Sequence, residues 1–164
     1  MKMRPAPFPL RQIVVSVLAG LLLAGCGVIG QSAQEVCVVT EPTWLTPPED
    51  SAVLSEPAPA YYLTNPDGSI LAGAWWWDLE DHAIPFDEQG IKIGWFRPAG
   101  AELTITGERL DGRADPLESV VPCCYPTRFQ ATGLTFPIPG CWEITATAAD
   151  SELVFTVWVA PVDE

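Results

Sequence analysis

The stretch CWEITATAADSELVFTVWV, Cys141–Val159, decides the fold. Two runs, CWEITATA and ELVFTVWV, flank Ala149-Asp150-Ser151. On the first, Trp142, Ile144 and Ala146 share one face, with Cys141, Glu143 and Thr145 on the other. On the second, Leu153, Phe155, Val157 and Val159 share a face. A repeat of two is the signature of a strand buried on one side, because successive side chains point to opposite faces. Two such runs around a short polar break predict a hairpin with one face in a core.

The same period continues upstream. In ELTIT, Glu102–Thr106, Leu103 and Ile105 point one way and Glu102, Thr104 and Thr106 the other. IKIGWF, Ile91–Phe96, places Ile91, Ile93 and Trp95 on one face, and TRFQAT supplies a short strand around Phe129. Tyr61-Tyr62-Leu63 and the run Ile70–Trp77 flank TNPDGS, whose Pro66-Asp67-Gly68 is a turn signal. No segment carries a convincing amphipathic helix. Short strands at this spacing predict an all-β, antiparallel sandwich over residues 61–164, Ig-like in architecture. The expected inward positions are Ile91, Ile93, Trp95, Leu103, Ile105, Trp142, Ile144, Phe155 and Val157. One feature departs from an antibody domain, whose core cysteine points inward. Here Cys141 is out of phase with Trp142.

Trp75-Trp76-Trp77 is the most unusual stretch of the domain. In a strand, Trp76 faces one way while Trp75 and Trp77 face the other. Either both faces are covered, by two sheets or the proline-rich lead-in, or an indole stands exposed. An exposed indole offers flat apolar area and an N–H to a sugar ring or a protein partner. Trp75 and Trp77 are therefore the candidate binding surface.

The N-terminus reads differently. Lys2, Arg4 and Arg11 precede the apolar run Ile13–Ala24. Twelve helical residues cover about 18 Å, short of a bilayer core of about 30 Å. The pattern suits a secretory signal peptide. Its end, Leu23-Ala24-Gly25-Cys26, closely resembles the bacterial lipobox. The resemblance implies a diacylglyceryl group on the Cys26 sulfur and cleavage before Cys26. Residues 1–25 are then the signal, and residues 26–60 a tether and proline-rich lead-in. The membrane becomes a partner through lipidated Cys26. Gly27, where aspartate would favour inner-membrane retention, leaves the outer membrane open in a two-membrane envelope.

All 21 acids but only five of the eight bases lie beyond residue 25, giving that part a charge of −16. Such a surface repels nucleic acid and anionic headgroups. Hydrolytic signals are missing: there is no G-x-S-x-G, and the single histidine, His82, sits in DLEDHAIPFDEQG. That segment reads as a solvated acidic loop. Its Asp78, Glu80, Asp81, Asp87 and Glu88 show no EF-hand register for calcium. Without CxxC or HxxxH spacing, no metal or cofactor is expected. The expected role is non-enzymatic, an interaction or structural function at the envelope with an envelope protein or glycan as partner. The alternative is a carbohydrate or small-ligand module built on Trp75–Trp77.

Three stretches together, CVVTEP, IKIGWFRPAGAELTITGERLDG and FQATGLTFPIPGCWEITATAADSELVFTVWV, resemble an uncharacterised group of exported bacterial proteins. Its members carry CPVT-P early, a tryptophan-arginine strand followed by L-T-I-G-R-L-D, and F-P-x-x-G-C-W-E-V-T near the end. The resemblance spans about residues 36–160 and implies the fold and export, with no chemistry attached. Val38 replaces the usual proline, and the Cys123-Cys124 pair is extra. An even set of cysteines in an exported chain predicts disulfides, and Cys37, Cys123, Cys124 and Cys141 allow three full pairings. Adjacent cysteines rarely pair, which would send Cys123 and Cys124 to different partners. The group carries the early and late cysteines without the adjacent pair, which implies a Cys37–Cys141 bond. Parity agrees if Val36 and Val38 face the core with Cys37 outward. Cys123 and Cys124 are then a vicinal disulfide or free thiols.

Overall fold

The computed structural model describes residues 37–49, 57–123 and 125–162, all within the unit Gln31–Glu164. The lipobox Leu23–Cys26, Val36 and Cys124 lie outside the described residues. The elements are β1 (Thr43–Leu45), β2 (Ala60–Thr64), β3 (Leu71–Gly73), a 3-10 turn (Trp75–Asp78), β4 (Ile84–Pro85), β5 (Ile91–Phe96), β6 (Leu103–Arg109), β7 (Glu118–Val120), β8 (Phe129–Thr135), β9 (Gly140–Ala148) and β10 (Ser151–Ala160). They form two sheets, one ordered β1-β2-β3-β5-β8-β7 and the other β4-β10-β9-β6. All pairs are antiparallel except β4 with β10. The chain is a β-sandwich.

The hairpin that opened the reading is the spine of the second sheet. Ser151 pairs with Ala148 and Val159 with Gly140, so Phe155 lies opposite Ile144 and Val157 opposite Trp142. Ala149 turns the corner at φ 52°. Trp142, Ile144 and Ala146 are buried, as are Leu153, Phe155, Val157 and Val159. Against them pack Ile93, Trp95 and Leu134 from the first sheet. Eight of the nine expected inward positions are buried, and Ile91, at the start of β5, is half-buried against the same core.

Several elements were not legible beforehand. β1 falls inside the proline-rich lead-in and pairs with β2, Trp44 opposite Tyr61. The segment read as a solvated acidic loop does carry its acids outside. It also contains β4, where Ile84 is fully buried and pairs with Val159. Trp75–Trp77 is the clear correction, because it is not a strand. β3 ends at Gly73, and the three indoles form a turn in which Trp77 N–H donates to Ala74 O and Leu79 N–H to Trp76 O. An extended strand would set two indoles on one face. A turn of about three residues sends each in its own direction, so the core has to admit only Trp76, which is 2% exposed.

The first sheet also carries an apolar cluster on its outer face. Leu71 pairs with Phe96, and Phe96 with Phe129. The rings of Phe96 and Phe129 meet edge to face at 5.3 Å. Gly94 makes room for this, since a Cβ there would come within 2.9 Å of the Phe129 ring.

Candidate functional site

The Cys37–Cys141 disulfide is present, with Cα atoms 5.6 Å apart. It anchors the lead-in on the face of β9 that points away from the core. Beside it, Thr40 N–H donates to Thr156 O and Thr156 N–H donates to Thr40 Oγ1, each at 2.9 Å. The lead-in thus completes the backbone bonding of β10 at Thr156. Val38 departs from the expected parity. Val38 does not face the core and is 85% exposed, because the segment bonds through Thr40 without forming a regular strand that would alternate. Cys141 does lie on the outer face, yet it is only 3% exposed under the lead-in it holds. Cys123 is disulfide-bonded, so it is not a free thiol.

Trp75 and Trp77 do not form one platform. Trp75 is 44% exposed, but its Nε1–H is already donated to Lys92 O at 3.2 Å, and its ring meets Trp76 edge-on. Trp77 is half-buried and covered on one face by the His82 imidazole, stacked at 4.4 Å and 16°. His82 Nδ1 lies 2.6 Å from Trp77 O, and the residue holds a φ of 50°. The histidine is thus a local brace for the turn. The most exposed indole belongs to Trp44, 57% exposed. Its partner Tyr61 packs on the core side of the first sheet, so Trp44 shares that side. One sheet has six strands and the other four.

Two clefts offer chemistry. The larger, about 590 Å³, lies between the outer face of β6 and β9 and the segment Gly112–Pro116. Thr106 pairs with Thr145 there, and Glu108 with Glu143. Two carboxylates directly opposite repel each other. Arg109 at the rim is already engaged by Asp111 at 2.6 Å. Among the described residues no cluster of three His, Cys, Asp or Glu is placed to hold a metal.

The smaller cleft, about 260 Å³, lies beside Arg97. Sequence reading passed over this residue, although alternation had marked it: Ile91, Ile93 and Trp95 face inward, and Arg97 is the next position of the same parity. It is 1% exposed. Nε–H donates to Gln130 Oε1 at 2.8 Å, Nη1 to Pro98 O at 2.9 Å and Thr127 O at 3.2 Å, and Nη2 to Tyr125 O at 3.1 Å. Gln130 in turn donates to Pro122 O at 2.7 Å. The pair therefore ties down both ends of the loop between β7 and β8. Every acceptor is neutral, and burial pushes the guanidinium below its ordinary value. It stays protonated even so.

No protein-family model, no curated protein and no solved structure matches the chain.

Proposed function

We propose that the chain is a bacterial lipoprotein, anchored through Cys26 outside the cell membrane, whose sandwich is a non-enzymatic interaction module of the envelope. The observation that carries this reading is the Cys37–Cys141 bond. Disulfides persist in oxidising compartments and are rare in the cytosol, which agrees with export. Its position also suits a tether. Ten residues lie between Cys26 and Cys37, a reach of up to about 40 Å over eleven steps. Tension along that tether meets a covalent bond to β9 before it can peel away β1. A surface of this charge is repelled by anionic headgroups. Attachment therefore depends on acyl chains, and two chains suffice for stable anchoring.

Metabolic labelling with an alkyne fatty acid tests the reading. The wild-type chain should carry label and sediment with membranes, and Cys26→Ala should carry none. Label retained by Cys26→Ala refutes the anchor. The alternative, glycan binding through Trp75 and Trp77, would show as oligosaccharide retention lost in Trp75→Ala.

A further inference from the structure

Among the described residues, Arg97 is a buried cation without a counter-charge. The ion pair among the described residues is Arg109–Asp111, and Arg97 pairs with no carboxylate. A guanidinium has five N–H donors, and the four bonds to Gln130, Pro98, Thr127 and Tyr125 leave one Nη2 hydrogen without an acceptor among the described residues. Burying a charge uncompensated, and a donor unpaired, is costly. Fixing the loop between β7 and β8 accounts for the four bonds. It does not account for the remaining donor or the charge. Arg97 forms part of the wall of the 260 Å³ cleft.

We propose that this cleft binds a small organic carboxylate, whose oxygen accepts from Arg97 and whose apolar body rests on Ala101, Leu103 and Val121. A carboxylate supplies the missing acceptor and the missing charge together, through a charge-assisted bond. A neutral carbonyl supplies only the first. The lining mixes polar groups with the apolar surface of Ala101, Leu103, Val121 and Pro122, and the volume falls just below the range of drug-sized sites, so the body is small. Glu102 stands exposed at the rim. It repels ligands with several negative charges and so selects one carboxylate on a greasy frame. The site belongs to the sandwich, and its test is independent of whether Cys26 carries lipid.

Titration calorimetry on the full chain in detergent micelles, with benzoate and its uncharged analogue benzamide, decides the matter. Benzoate should bind, and benzamide about tenfold more weakly for want of the charge-assisted bond. Glu102→Gln should tighten benzoate about threefold by removing a like charge at the rim. Ala101→Phe, which fills the cleft from its half-buried wall, should abolish binding while the β-type circular dichroism persists. Equal affinity for benzoate and benzamide, or undiminished binding in Ala101→Phe, overturns the proposal. Should Ala101→Phe fail to fold, Glu102→Gln decides alone: unchanged or weaker benzoate affinity overturns it.

Discussion

Replacing both partners of the disulfide, Cys37→Ala with Cys141→Ala, separates what the bond does to the folded chain from what it does to the unfolded one. The bond spans 104 residues. The loop it closes contains β1 to β8 and reaches the first residues of β9. In the chain-entropy account a loop of that length removes about 4.7 kcal/mol of denatured-state freedom. The folded-state contacts at stake are fewer. Thr40 makes two hydrogen bonds to Thr156, each with a net contribution of about 0.5–1.5 kcal/mol. The loss should therefore come mainly through the unfolded state, at about 3–5 kcal/mol. Guanidinium titration under non-reducing conditions, read by tryptophan fluorescence, measures it. The midpoint should fall and the slope m should rise, because an unlinked chain exposes more surface on unfolding. A loss below about 1 kcal/mol with m unchanged would refute the reasoning. It would mean that the denatured chain is already compact enough for the bond to constrain nothing.

Leu103 is 3% exposed in the core, and Leu103→Ala should cost about 2–5 kcal/mol in chemical denaturation. Ala149 holds a φ of 52° at the β9–β10 corner. A left-handed conformation costs a residue with a Cβ about 1–2 kcal/mol, so Ala149→Gly should stabilise by about 0.5–1 kcal/mol after the added chain entropy, seen as a higher melting temperature. In the β2–β3 turn, the hydroxyl and then the amide of Ser69 donate to Asp67 and hold its carboxyl below the usual carboxylate range. A depressed folded-state value contributes stability above the unfolded value near pH 4, and that contribution is lost as pH falls through the folded value. Asp67→Asn should therefore be less stable than wild type at neutral pH and converge with it under acid, as followed by melting temperature against pH.

The sequence by itself determined the sandwich class, the closing hairpin and the inward faces. Each rests on alternation, and alternation is local: Trp142 and Ile144 share a face in any extended chain. The Pro66-Asp67-Gly68 turn was legible for the same reason, with Gly68 at a φ of 68°. The Cys37–Cys141 bond was legible through a resemblance, while the parity offered beside it misplaced Val38. Where the outcome depends on what stands opposite, only the tertiary structure decided. The three indoles abandon the strand because the core admits Trp76 alone. β1 emerges from a proline-rich segment because β2 offers it an edge. Ile84 is buried because β10 has room for a parallel neighbour, and Trp44 is exposed on the edge strand β1. Arg97 lies between the two cases. Its parity is written in the sequence, but a buried cation is stable only where carbonyls converge on it, and those come from a loop some thirty residues away. Long-range closure of that kind leaves no local pattern to read.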